Sequence, residues 1–322
     1  MMWRVALRST AGGARGLWTT TAAEAAASAS AASAAVSEGG GVTGRSAAGQ
    51  RHALRFYTNV DVVESKGKDA TGKGQWRVAL DGKMLNTPKR HPLIFPSRAL
   101  AMAVAAEWEQ QGTAIKPFTM PLMTLAATSA DQVSGIESQV AEAMADYLDT
   151  DQMCFREPLV ASTVAEKTDV PGSLMGRVAS TQADRAQRLR DQQEQWCRPI
   201  VEWAESKFGH TVTLHEGVMS YGQDAQLHAA VRAYLEGLGA AQLTGVEAIV
   251  STSKSMLLGL ALAEGVVSVD HAVSACRVEE DFQMHEWGLV EGGHDLDTSS
   301  VAAALHAPAL WIRLHRAAAA QK

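Results

Sequence analysis

Across residues 56–96 the apolar residues follow a two-residue period broken by turn signals, and from Ser97 onward they recur every three or four positions. That change of period divides the chain into a β-rich part and a helical part. Trp76, Val78 and Leu80 alternate with Arg77 and Ala79, as in a half-buried strand. Asp81-Gly82 then supplies a tight hairpin turn, and Met84 and Leu85 begin the return strand. Phe56 to Val63 reads as an earlier strand, with the Gly/Lys-rich residues 66–74 as its loop. Leu93-Ile94-Phe95 lies between Pro92 and Pro96, which predicts a short strand at a sheet edge, where a missing N–H is tolerated.

Ser97 is a good N-cap for a helix carrying Leu100, Val104 and Trp108 and stopped by Gly112. A second helical pattern covers 122–148, with a break near Ser134-Gly135. A third covers 178–208; Gly209 closes it, and Pro199 must kink it or start a new helix. Asp224 caps a segment with Leu227, Val231 and Leu235. Thr244 with Glu247 reads as a capping box opening a helix over 245–264, which Gly265 ends. Ser268 caps the next helix, and residues 309–315 fit a last strand or a helix end. These elements predict a small β-rich α+β module followed by a helical bundle, with the boundary near residues 120–135.

At 322 residues the chain has room for two domains, or for one large domain behind an N-terminal extension. The net charge of −6 carries no electrostatic footprint for nucleic acid, and no apolar run is long enough to span a membrane. Cys154, Cys197 and Cys276 are widely spaced, which supports neither a zinc site nor a disulfide framework, so buried free thiols are expected. The first fifty residues differ in composition: Arg4, Arg8, Arg15 and Arg45 lie among Ala, Ser, Thr and Gly, with Glu24 and Glu38 as the only acids. That is the signature of an organelle transit peptide, mitochondrial or plastid, set against the plainer reading of a low-complexity tail.

The stretch from Val278 to Asp295 is the strongest functional signal. It places Glu279, Glu280, Asp281, Glu286, Glu291 and Asp295 around Phe282 and Trp287 with no basic residue among them. In a helix, Glu279, Gln283 and Trp287 follow one another at four-residue intervals on one face, with Glu280 at its edge. Like charges at that spacing cost helix stability, so a role beyond local stability is suggested. The plainer reading is a solvated acidic face anchored by its two aromatics.

Catalytic signatures are mostly missing. Gly72-Lys73 and Gly44-Arg45-Ser46 lack the spacing of a phosphate-binding loop, and His285-Glu286 has Leu289 where a zinc protease needs its second histidine. Glu291 with His294-Asp295 resembles a surface hydrogen-bonding group more than a metal cluster, and Cys154 a structural thiol more than a nucleophile. Trp108, Trp196, Trp203 and Trp287 stand beside polar residues; such aromatics serve as interface anchors or, more often, as core edges. No cofactor and no metal is expected. A hydrolase using the adjacent carboxylates Glu279 and Glu280, with His294 nearby, is the alternative from another class.

A set of short motifs adds a resemblance. Arg55-Phe56-Tyr57, Leu80-Asp81-Gly82-Lys83, Leu85-x-Thr87-Pro88 and Ala106-Glu107-Trp108 are its first part. Met120-Pro121-Leu122, Leu148-Asp149-Thr150-Asp151, Trp196-x-x-Pro199-Ile200-x-Glu202-Trp203 and Glu279-Glu280-x-x-Gln283-x-x-x-Trp287-Gly288 follow in order. Together they resemble the family of mitochondrial F-type ATP synthase assembly factor 2. Residues 66–74 look like a longer loop than the family's, and Gly292-Gly293 stands where larger residues are usual. The resemblance implies a non-enzymatic chaperone of the mitochondrial matrix. It would bind the unassembled α subunit of the catalytic head and keep it soluble until β replaces it. The implied fold is α+β, a small β-rich N-terminal domain followed by a mainly α orthogonal helical bundle. On this reading residues 1–52 are transit peptide and linker, 53–128 the β-rich domain and 129–322 the helical domain. The partner-binding residues would be Glu279, Glu280, Gln283, Trp287, Glu291 and Asp295.

Overall fold

The computed structural model describes residues 43–45, 51–68, 74–159, 174–288, 290 and 293–320. β1 (Thr43–Arg45) and β2 (Arg51–Ala53) form an antiparallel pair, and β3 (Val60–Lys68), β4 (Gly74–Leu80) and β5 (Lys83–Met84) form an antiparallel sheet in that order. Val60 faces Leu80 and Val62 faces Val78 across the central pair. Asp81 and Gly82 have φ of 46° and 78°, the two left-handed residues that a tight hairpin needs.

β3 begins at Val60, later than the Phe56 start that the sequence predicts. The N–H groups of Thr58 and Asn59 donate to the Asp81 carboxylate (3.0 and 2.8 Å) instead of to a strand partner. The strand also runs on to Lys68 through a bulge, inside the stretch expected as loop; residues 69–73 lie outside the described ones. Residues 93–95 contribute one bridge, Phe95 to Trp76, at the open edge of β4 rather than a full strand.

Helices cover this sheet and then dominate. In α1 (Arg98–Glu109) the Ser97 hydroxyl accepts the N–H of Leu100, and Leu100, Val104 and Trp108 are buried. α2 (Pro121–Thr128) continues into a π-turn over Ser129–Val133, the chain breaks at Gly135 (φ 91°), and α3 (Glu137–Ala145) follows. β6 (Phe155–Arg156) pairs in parallel with β7 (His215–Glu216), two strands too short to leave a periodic signature. Between them α4 (Leu174–Phe208) runs through Pro199 as one helix and stops at Gly209, φ 72°.

α5 (Ala225–Glu236) is capped by Asp224, as expected. The helix predicted over 245–264 is two helices, α6 (Ala240–Ser253) and α7 (Met256–Glu264). Thr244 caps neither: it is buried inside α6, its hydroxyl donating to the Ala240 carbonyl (2.8 Å). Lys254 turns left-handed (φ 56°) and Ser255 caps α7, because apolar residues on both sides of that corner must enter the core. α8 (Val269–Cys276) is capped by Ser268, α9 (Val278–Trp287) holds the acidic motif, and α10 (His294–Ala320) closes the described chain. Residues 309–315 are therefore helical, and the Trp311 indole donates to the Ala241 carbonyl of α6 (2.7 Å). The result is a mixed α+β fold, mostly helical, whose apolar core is continuous from Tyr57 to Ile312. Cys154 and Cys197 are buried free thiols while Cys276 is a partly exposed one, contrary to the expectation for it, and no described helix is long and apolar enough to cross a membrane.

Candidate functional site

α9 begins directly after Arg277, and that residue changes the electrostatics of the acidic run. Arg277 is 3% exposed; its guanidinium meets Glu280 at 2.9 Å and Asp281 at 3.6 Å, and it also pairs with Asp297 in the first turn of α10. One buried cation thus gathers three carboxylates and ties α9 to α10. The helix dipole adds to this, since Glu279, Glu280 and Asp281 all stand in the first turn of α9, where negative charge is favoured. The like-charge cost inferred from residues 278–295 is offset by a cation one position before them.

The rest of α9 rests on α4. Phe282 is buried, with the guanidinium groups of Arg185 and Arg188 at 5.7 and 6.0 Å from its ring, and Glu286 pairs with Arg188 at 2.9 Å. Trp287 is 68% exposed, one side of its ring covered by the Arg185 guanidinium at 4.6 Å. Phe282 therefore anchors the helix and Trp287 does not, which corrects the expectation that both aromatics fix it. An indole stacked on a guanidinium satisfies the cation while leaving its other face in water.

Glu279 is exposed, and its carboxylate accepts from the Gln193 amide of α4 at 3.1 Å. The Gln193 amide oxygen accepts the Glu157 N–H at 2.7 Å, which fixes the amide orientation and aims its NH2 at Glu279. The Gln193 partner of Glu279 is neutral, whereas Glu280 is paired with the Arg277 cation. Gln283 is exposed on the same helix, and Asp295 is exposed in the first turn of α10. Glu291 lies outside the described residues. Val290 (62%) and Leu296 (65%) add exposed apolar surface after Trp287.

The carboxylate pair needed for a hydrolase is not assembled. Glu279 turns to α4 and Glu280 to Arg277, and the His294 ring accepts the Val290 N–H at 3.2 Å. Among the described residues no group of His, Cys, Asp or Glu could hold a metal ion. Other motif residues brace the fold. Glu107 of α1 accepts the N–H groups of Leu122 and Met123 (2.7 and 2.8 Å) at the start of α2, and burial pushes its carboxyl up to about 7 against those two hydrogen bonds. Asp151, wholly buried, accepts the N–H groups of Met153 and Leu257 (2.9 and 2.8 Å), and burial raises it to about 6. Sequence reading missed Arg185, Arg188, Gln193 and Arg277. The first three recur on one side of α4, a signal that becomes visible only once α9 is known to lie there.

A family model described as ATP12 chaperone protein matches residues 54–205. The mitochondrial protein atp12 of Schizosaccharomyces pombe is 24% identical over 250 residues, 74% of this chain and 78% of that one. The chain is thus similar to the ATP12 chaperone family over residues 54–205 and to its mitochondrial yeast members over most of its length. The mitochondrial ATP12 protein of Saccharomyces cerevisiae is 23% identical over 279 residues, with the same shares covered. The crystal structure of Atp12 from Paracoccus denitrificans superposes with a TM-score of 0.65 at 27% identity, covering 81% of this chain and 98% of that one. The family model ends at residue 205, inside α4, so the residues of α9 lie beyond it.

Proposed function

We propose that this chain is an assembly chaperone of the mitochondrial F-type ATP synthase, acting in the matrix without catalysis. It binds the unassembled α subunit of the catalytic head and is displaced by β. The observation that carries the reading is an exposed tryptophan on an acidic helix, Trp287 on α9, in a chain similar to the ATP12 chaperone family. An α subunit without β exposes an apolar surface that invites aggregation. A cover made of one large aromatic and a charged rim protects such a surface while keeping net affinity low enough for exchange.

In this proposal Glu279, Glu280, Gln283, Trp287, Glu291 and Asp295 form the contact surface, and Glu279 contributes most among the acids because Arg277 already occupies Glu280. Co-expression with the α subunit, pull-down and light scattering test it. Aggregation of α that is equal with and without the chain refutes the reading. Glu279→Lys is expected to melt within about 0.5 kcal/mol of wild type and to weaken α capture at least tenfold. Residues 1–52 are proposed as the import signal; a fluorescent reporter carrying them is expected in mitochondria, and cytosolic or plastid fluorescence rejects that assignment.

A further inference from the structure

The loop that contains β7 offers a second apolar surface. Residues 214–222 leave and return at one neck, where the Gln223 amide accepts the Thr213 N–H and donates to the Thr213 carbonyl, both at 2.9 Å. That closure makes an Ω-loop, a compact surface loop packed by its own side chains. The His215 ring fills its base, 1% exposed, between Phe155 (5.3 Å) and Tyr221 (6.0 Å). The Gly217 N–H donates to the Arg156 carbonyl (3.1 Å), the Ser220 hydroxyl to the Asp149 carbonyl, and the Gln223 N–H to the Asp149 carboxylate (3.0 Å). Gly217 and Gly222, at φ 74° and 76°, make the two corners. The backbone is thus tied down on several sides, and three large side chains at the tip point outward, Val218 93% exposed, Met219 63% and Tyr221 81%, with Glu216 exposed at the foot.

The loop is joined to the acidic helix through α4. Arg190 donates to the Glu157 carbonyl (3.1 Å) and to the Glu216 carboxylate (2.8 Å), which neutralises the acid at the foot of the loop. Three residues along α4, about 4.5 Å of helix rise, Gln193 bonds Glu157 on one side and Glu279 on the other. Loop and acidic face therefore flank the same stretch of helix. A tip of three side chains covers far less than the ~1,000 Å² that a stable interface between two copies needs, so it does not stand alone as a dimer contact. It is instead a second, apolar patch on the other flank of the α4 segment that carries the acidic one.

We infer that Val218, Met219 and Tyr221 form a second client contact, seating an uncharged apolar segment of the same subunit whose basic groups meet α9. This inference rests on the client reading above. The test uses the full chain co-expressed with the α subunit, comparing wild type, Glu279→Lys, Val218→Asp/Met219→Asp and Tyr221→Ser. Both loop variants are expected to keep the wild-type melting temperature and monomeric mass and to capture α at least tenfold less well. Val218→Cys carrying a photo-crosslinker, in a Cys276→Ser background because Cys154 and Cys197 are buried and Cys276 is not, is expected to cross-link to α. If wild type captures α, Glu279→Lys does not, and both loop variants bind as wild type does, the loop contact is refuted and the client reading stands. If wild type captures no α, the client reading falls and the loop contact falls with it. A cross-link to a second copy, or a wild-type dimer that the loop variants disperse, also overturns the loop contact.

Discussion

Replacing Trp287 and Phe282 separately by Ala distinguishes a recognition residue from an anchor on the same helix. Phe282 is 3% exposed, so its removal leaves a cavity under α9 at a cost of about 3–5 kcal/mol. Trp287 is 68% exposed. A buried tryptophan covers about 150–250 Å², so the hidden third amounts to about 50–80 Å², or about 1–2 kcal/mol at ~25 cal/mol per Å². Alanine recovers about half a kcal/mol of helix propensity, and the net cost is about 1 kcal/mol. In a chain of this length that is a fall of about 1–2 °C for Trp287→Ala and about three to five times that for Phe282→Ala. Binding runs the other way per degree lost: Trp287→Ala is expected to abolish α capture while melting near wild type. Calorimetry beside a pull-down reads both quantities. A Trp287→Ala protein that melts as low as Phe282→Ala, or that captures α normally, refutes this division of labour between the two rings.

Two further outcomes test the frame that carries the helix. A Cβ added at Gly245 on α6 would sit 2.6 Å from Ile312 Cγ1 and 3.1 Å from Trp311 Cδ1 on α10, so Gly245→Ala is expected to lose about 1–2 kcal/mol in urea unfolding despite alanine's better helix propensity, and a gain would refute the close crossing. Glu107 has its folded pKa raised to about 7 from 4.5, so the folded chain holds this proton more tightly than the unfolded one; its contribution is full below about pH 4.5 and is lost as pH rises through 7, at most about 3 kcal/mol. Glu107→Gln is expected to flatten that part of the stability profile between about pH 5 and 8; an unchanged slope would show that other groups set it.

Much of the framework was legible because it rests on local signals. Ser97, Asp224 and Ser268 cap helices where their short polar side chains precede apolar periodicity, and Asp81-Gly82 makes the hairpin that its two left-handed residues allow. The failures share a non-local cause. Thr244-x-x-Glu247 has the form of a capping box, yet the burial of Leu243, Val246, Ile249 and Val250 drives the helix through it. Pro199 has the form of a breaker, yet α4 continues because the residues on both sides, including Cys197 and Ile200, are buried along one face. The acidic motif is visible in composition, but its partition into Arg277-bound, Arg188-bound and Gln193-bound carboxylates depends on which helices flank it.

That partition bears on how a chaperone of this kind can let go. Charge on α9 is of two sorts: Glu280 and Asp281 spend theirs on a buried guanidinium that holds α9 to α10, while Glu279 faces a neutral amide. A client cation that recruits Glu280 must compete with Arg277, and breaking that pairing would leave a buried guanidinium short of partners at a cost of several kcal/mol. A client that meets only Glu279 and the open face of Trp287 asks for no such rearrangement. Affinity is then limited by a small contact, and specificity comes from the requirement that a basic group and an apolar surface arrive together. Such an interface yields to a partner that buries more of the same surface, without nucleotide and without unfolding either chain.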